Sequence, residues 1–188
     1  MGETRQLIYW SKLTYEGWHI LAATSGKGLC FVGLHDQSEH DLAEWAKKTD
    51  PESLLVQDKA KLEPWMSQFV EFFRGERIHF SLPLDVRGTP FQLAVWDELC
   101  KIPYGETRSY TDLAIVLGKP SSPRAIGAAI GANPALLAVP CHRVVGKHGS
   151  LTGYREGLDR KAKLLQMEKE VLLNLDSGAR LTSVIGEA

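Results

Sequence analysis

The hydrophobic periodicity of this chain changes once, at Pro83–Gly88, and that change restricts the fold more than any other feature. Before it, short apolar runs bounded by turn signals alternate with two helical stretches; after it, the signals are mostly helical. Leu7 to Tyr15, Gly17 to Thr24 and Leu29 to Leu34 read as strands, with Ser25-Gly26-Lys27-Gly28 as the hairpin turn between the last two. Two helices follow, near Glu39 to Lys47 and from Lys59 to Arg74. The second carries Trp65, Phe69 and Phe72 or Phe73 on one stripe and stops at Gly75. The aromatic stripe reads as core. Ile78 to Leu82 reads as one more strand, and Pro83 to Gly88 as a linker.

The remainder is punctuated as helices. Thr89-Pro90-Phe91-Gln92 combines an N-cap, a proline at the first helical position and a capping-box glutamine. Phe91, Ala94, Val95 and Leu99 give that helix one apolar face. Ser109 caps the next, with Asp112 three residues on and Gly118 at its end. Ser122-Pro123 opens a third, from Arg124 to Ala132, which Asn133-Pro134 terminates. Two short helices joined by a tight turn make a helix-turn-helix, a unit used both for docking nucleic acid and for plain core packing. The second helix is nearly bare: Ala125, Gly127, Ala128, Ala129, Gly131 and Ala132 leave only Arg124 equipped to reach a partner. A reader of base edges in the major groove would present Arg, Asn or Gln along it.

The chemistry concentrates in Val139-Pro140-Cys141-His142-Arg143-Val144. A thiol attacks as its thiolate, and a neighbouring histidine is a common means of making one at neutral pH. The apolar run Ala135 to Val139 reads as a buried strand, which would bring Cys141 to a strand end facing a cleft. A small buried hydrophobe is the alternative, and the commoner fate of a free cysteine.

A wider set of residues resolves that choice. Phe91-Gln92, Val95-Trp96, Ile102-Pro103-Tyr104-Gly105-Glu106-Thr107, Ser109-Tyr110, Leu113-Ala114, Arg124-Ala125-Ile126-Gly127, Asn133-Pro134, Pro140-Cys141-His142-Arg143-Val144, Gly153-Tyr154 and Glu168 stand in the order and spacing of one family. The stretch from Thr89 to Glu168 resembles the O6-alkylguanine-DNA alkyltransferases, also called methylated-DNA–protein-cysteine methyltransferases. The resemblance implies an α+β fold: a small antiparallel sheet with flanking helices in a ribonuclease H-like layout, then a mostly helical catalytic domain holding the helix-turn-helix. The domains would be 1–88 and 89–173, with 174–188 a flexible tail.

The same resemblance implies direct reversal of DNA damage, in which an alkyl group passes irreversibly from O6-alkylguanine, or O4-alkylthymine, to Cys141. The bare helix would lie in the minor groove of double-stranded DNA, Arg124 would fill the space of a flipped nucleotide, and Tyr110 would press on the adjacent phosphate. His142, through a water, would take the proton of Cys141, while Glu168 would favour the charged imidazole. Tyr154 and the Arg155 amide would face the base, the carbonyls of Cys141 and Val144 would receive its exocyclic amine, and Arg143 would belong to the same binding set. Most members have a small residue such as serine at Arg155. Asn133 would brace the turn before the active-site segment. From the residues alone, Tyr110 could equally be core and Arg124 an ordinary exposed cation.

Charge fits a DNA partner better than the total of −1 suggests. Between Lys101 and Lys163 stand ten Lys or Arg against four Asp or Glu, a net of +6 that leaves −7 for the rest. Three widely spaced cysteines, Cys30, Cys100 and Cys141, argue for a reducing compartment and against a disulfide framework. The start lacks the apolar run of a signal peptide, and no stretch is apolar for long enough to span a bilayer. A cytoplasmic monomer without cofactor or membrane association is expected. His19, His35, His40, His79 and His148 show no metal spacing with Cys30 or Cys100. Three other functions remain in view: a lesion-binding relative without a reactive cysteine, a regulator without chemistry, and a cysteine hydrolase. Cys141 weighs against the first, the bare helix against the second, and the absence of a recognisable oxyanion hole against the third.

Overall fold

The computed structural model describes residues 5–36 and 38–176. Strands β1 (Leu7–Tyr15), β2 (Trp18–Thr24), β3 (Leu29–Gly33) and β4 (Leu54–Gln57) form one sheet in the order β3-β2-β1-β4. β1 and β2 pair antiparallel from Tyr9↔Thr24 to Tyr15↔Trp18. Glu16 and Gly17 link them with φ of 45° and 78°, the left-handed pair that suits the twist of a two-residue hairpin. β2 and β3 are also antiparallel, joined by a turn in which the Ser25 amide donates to the Gly28 carbonyl at 2.9 Å.

β4 pairs parallel with β1, from Leu7↔Leu54 to Trp10↔Gln57, so the sheet is mixed where an antiparallel one was expected. The connection from β3 runs through α1 (Ser38–Thr49), and a helical crossover can return the chain in the direction of β1 as a hairpin cannot. β4 escaped the sequence reading because it is a four-residue edge strand with Leu54 43% and Val56 37% exposed, hence without alternation. α1 covers one face, with Leu42 against Ile8, Leu21 and Phe31. α2 (Lys59–Phe73) covers the other, capped by Asp58 and burying Leu62, Trp65, Phe69 and Phe72. Each such side chain contributes about 1.5–3 kcal/mol by leaving water.

The strand expected at Ile78–Leu82 does not form. Phe80 packs edge-on and tilted among Phe69, Phe72 and Trp65, and the Gln68 side chain exchanges hydrogen bonds with Ser81 at 2.9 and 3.1 Å, taking the place of a strand neighbour. Beyond the linker come α3 (Pro90–Cys100), α4 (Tyr110–Val116), α5 (Pro123–Gly131) and α6 (Leu158–Asp176), with a two-residue parallel pair of β5 (Arg108–Ser109) and β6 (Val144–Val145). Capping boxes at Thr89/Gln92 and Ser109/Asp112 start α3 and α4 where the sequence places them. Ser122 precedes α5 without a side-chain cap. The tail expected at 174–188 is helical through Asp176; the remainder of it lies outside the described residues.

One apolar core runs through both halves, joining Trp18 and Phe72 to Trp96, Leu99 and Leu164. Among the described residues no helix is long and apolar enough to cross a membrane.

Candidate active site

Asn133 builds the entrance to the site. Its Nδ2 donates to the Val139 carbonyl at 2.9 Å, and its Oδ1 accepts from the Ala135 amide at 2.9 Å, so one side chain pins both ends of residues 134–139. The segment is a tight turn rather than the expected strand: Leu137 has φ of 69°, and its neighbours make only isolated bridges, Leu136↔Val139 and Val32↔Ala135. Its apolarity signals burial, which a turn packed inside satisfies as well as a strand. Pro140 follows, and Cys141–Arg143 form a single 3-10 turn that leads into β6.

Cys141 is 4% exposed at the base of a pocket of about 240 Å³ whose walls include Tyr110, Gly127, Gly131, Tyr154 and Arg155. The bare helix α5 thus forms one wall, with Ile126, Ala129 and Ile130 turned inward and Arg124, Ala125, Ala128 and Gly131 exposed. Trp96 of α3 fixes it by donating to the Ala129 carbonyl at 2.8 Å. Arg124 stands exposed in the first turn of α5. The Tyr110 hydroxyl sits at the rim, 3.4 Å from the Thr152 carbonyl and 3.5 Å from that of Gly153. The Tyr154 hydroxyl is buried without a hydrogen-bond partner among the described residues.

Behind Cys141 lies a buried ionic cluster. His142 Nε2 is 2.8 Å from Glu168 Oε1, and both side chains are fully buried. Glu168 also accepts from the Gly105 amide at 2.8 Å and from Arg143 Nε and Nη2 at 2.9–3.1 Å. Arg143 donates in addition to the Ile102 carbonyl at 2.7 Å and lies over the Tyr104 ring. Arg143, expected among the DNA- and substrate-binding residues, therefore faces inward and serves as the counter-charge of Glu168. Gly105, with φ of 76°, leaves its amide free to point at the carboxylate. Burial would raise the Glu168 carboxyl, but the hydrogen bonds from His142 and Arg143 outweigh it and hold the group at about 2.

These charges alter the expected relay. Burial pushes the His142 imidazole below its ordinary value despite Glu168, and it pushes the Cys141 thiol up despite the Asn133 side chain and the positive charges of Arg155 and Lys161. Glu168 does favour the imidazolium, as expected, but burial of the ring outweighs it and the charge of Arg143 adds to the opposition. Burial thus favours thiol over thiolate and neutral imidazole over imidazolium. Since an ionised carboxylate only accepts, Nε2 carries the imidazole proton and Nδ1 keeps its lone pair. Nδ1 is buried without a hydrogen-bond partner among the described residues.

Family models match both halves of the chain: the DNA-binding domain of 6-O-methylguanine DNA methyltransferase over residues 90–170, and the ribonuclease-like domain of the same protein over residues 8–86. The inducible methylated-DNA–protein-cysteine methyltransferase of Bacillus subtilis is 49% identical over 176 residues, 94% of this chain and 98% of its own length. The chain belongs to the O6-methylguanine-DNA methyltransferase family. The crystal structure of Mycobacterium tuberculosis O6-methylguanine methyltransferase superposes with a TM-score of 0.73 at 35% identity, covering 87% of this chain and 93% of that one. The same organism's OGT in complex with DNA gives 0.75 at 34% identity, covering 88% and 94%.

Within this methyltransferase fold, Cys141, Tyr110, Tyr154 and Arg155 meet around the pocket, His142 and Glu168 lie behind it, and Asn133 braces the turn. The Val144 carbonyl is already engaged by the ammonium of Lys161, a residue the sequence reading missed. Lys161 is fully buried, donates also to the Thr152 carbonyl at 2.7 Å, and is brought down to about 8 by burial. Its only sequence signal is a lysine four residues after Gly157 at a helix start, which reads as a solvated cation. Gly105 and Arg143 were visible as motif residues, but their role as ligands of Glu168 was not.

Proposed function

We propose that this protein repairs DNA by moving an alkyl group from guanine O6 to Cys141, once per molecule. The observation that carries the reading is a buried cysteine at the base of a pocket roofed by the bare helix α5, with His142 Nδ1 unpaired and Glu168 fixed behind it. Double-stranded DNA would lie with its minor groove against the exposed small residues of α5, which permit close approach irrespective of sequence. Arg124 would occupy the stack vacated by the extruded nucleotide, and Tyr110 would meet the neighbouring phosphate. Extrusion costs a few kcal/mol, less for a base that pairs poorly.

Once the base fills the pocket and excludes solvent, the Cys141 proton passes through a water to His142 Nδ1, and the imidazolium is held by Glu168. The thiolate attacks the alkyl carbon in line; the S–C bond forms, the C–O6 bond breaks, and its electron pair stays on guanine. The Tyr154 hydroxyl and the Arg155 amide offset the charge that develops there, and the carbonyls of Cys141 and Val144 accept the exocyclic amine. Because the Val144 carbonyl also serves Lys161, the amine would be its second donor. A thioether is a poor leaving group, so the protein, acting as a monomer, would be consumed in one reaction. Intact mass and peptide mapping after incubation with O6-methylguanine DNA test this: one methyl group per chain, on Cys141, is expected. Turnover, or an unmodified Cys141, would overturn it.

A further inference from the structure

Arg155 stands in the pocket wall beside Tyr154, yet its side chain is spent elsewhere. Nη1 donates to the Asn133 carbonyl at 3.1 Å and Nη2 to the Val32 carbonyl of β3 at 3.5 Å, while the guanidinium lies 6.0 Å from the Phe31 ring centroid. Nε faces Glu156 Oε1 at 3.4 Å, and that carboxylate is fully buried, with Oε2 3.7 Å from His35 Nε2. His35 in turn bonds Asp41 of α1 at 2.9 Å, and its backbone amide is held by Ser38. Polar contacts therefore run from the pocket wall, through Arg155, Glu156 and His35, to a helix on the far side of the N-terminal sheet. Val32 adds a backbone tie at the same place, its amide donating to the Pro134 carbonyl at 2.8 Å.

We propose that Arg155 is a positioning residue: its side chain straps the Tyr154–Arg155 wall to β3 and to the turn braced by Asn133, so that the N-terminal half sets the rate of alkyl transfer at a cysteine it does not touch. The proposal rests on the alkyl-transfer reading above. Its physical basis is the tolerance of an in-line displacement. The Tyr154 hydroxyl and the Arg155 amide must meet charge on the leaving base, and a displacement of 1 Å at such a site costs as much as ~100-fold in rate. A side chain two-thirds buried, with partners on two other segments and on Glu156 beside it, fixes that wall more firmly than the loop of residues 146–153 could alone. Arg155 is thereby a positioning group through its side chain, whatever its amide contributes to the base.

The test compares wild type, Arg155→Ala, Arg155→Lys, His35→Gln and the Arg155→Ala/His35→Gln double variant. Single-turnover transfer from O6-methylguanine duplex gives a maximal rate and a half-saturating concentration; free O6-benzylguanine and binding of undamaged duplex give the controls. Arg155→Ala should lower the maximal rate by about tenfold or more on both substrates, with half-saturation and duplex binding unchanged. Arg155→Lys should recover part, since an ammonium reaches one carbonyl but cannot span three partners. His35→Gln should slow transfer less, and should add nothing in the Arg155→Ala background. Slowing confined to duplex, with weaker binding and a shallower salt dependence, would make Arg155 a phosphate contact and overturn the proposal. A lower melting temperature with an unchanged maximal rate would overturn it too. If Arg155→Ala does not fold, His35→Gln decides alone, a wild-type maximal rate counting against the strap. A wild type that never alkylates Cys141 would instead remove the alkyl-transfer reading itself.

Discussion

Glu168→Gln is the most informative single change, because the carboxylate has one job in the fold and a second in the proposed mechanism, with separable signatures. The first is to balance Arg143. The pair is bidentate, at 2.9–3.1 Å, and the guanidinium side chain is only 7% exposed. Glutamine keeps the shape but leaves a buried, unpaired cation, which costs about 3–5 kcal/mol. In a chain of this size that lowers the melting temperature by roughly 10 °C. The pH dependence gives an independent figure. The Glu168 carboxyl is depressed from its ordinary 4.5 to about 2, and at ~1.4 kcal/mol per pH unit this amounts to about 3 kcal/mol. A depressed carboxyl stabilises the fold above its unfolded value and loses that contribution as pH falls, so about 2 kcal/mol of it should be gone by pH 3. Urea titrations of both proteins from pH 7 to pH 3 should therefore show a stability gap that narrows with acidification. A gap under about 1 kcal/mol at pH 7, or parallel pH curves, would refute the assignment.

The second job is to hold the imidazolium once His142 has taken the proton of Cys141. With glutamine that cation loses its counter-charge, so single-turnover transfer should slow about tenfold for each pH unit by which proton uptake weakens. The rate should recover as pH rises and the thiol ionises without help from His142. A superimposable rate profile would leave His142 the sole supported partner of Cys141.

Other outcomes follow from the same geometry. Arg124→Ala should slow repair of duplex DNA while leaving reaction with free O6-benzylguanine nearly unchanged, since Arg124 stands outside the pocket; equal slowing on both would remove it from base extrusion. Alkylation should map to Cys141 and to neither of the other cysteines, because only Cys141 of the three lines the pocket beside Tyr110, Tyr154 and Arg155. Gly105→Ala should cost ~1–2 kcal/mol for its left-handed backbone, and more where the new methyl group meets Leu172. It should also narrow the Glu168 stability gap by misplacing the amide, which urea titration would detect.

Local signals made the helices legible and left the joins between them obscure. Thr89-Pro90-Phe91-Gln92 and Ser109–Asp112 each contain a donor and an acceptor at the spacing that closes a helix start, so the residues themselves specify the geometry. Leu54–Gln57 contains no such pair. It becomes a strand because α1 delivers it to the edge of β1, a fact about tertiary placement that four half-exposed residues cannot announce. Ile78–Leu82 carries strand-like residues, but Gln68, ten or more positions away, satisfies Ser81 and removes the need for a strand partner. Ala135–Val139 reads as buried, and is buried; the backbone sign of Leu137 is set by Asn133 gripping both ends.

The site divides in the same way. Cys141, His142 and Glu168 could be named from their motif, whereas the protonation of the cluster depends on Arg143 and Lys161, whose directions no motif encodes. Arg143 follows Cys141 and His142 in the chain, and the family resemblance places it among the DNA- and substrate-binding residues. The 3-10 turn at Cys141–Arg143 points it inward to Glu168. That reversal has a chemical consequence. A carboxylate free of Arg143 would offset the burial of His142 more strongly and favour its charged form. Burial disfavours both the thiolate and the imidazolium, and in the proposed reaction transfer would wait for a base to fill the pocket, exclude water and place an alkyl carbon in line with the sulfur. For a protein that reacts once, a resting thiol is the state that preserves it for its substrate.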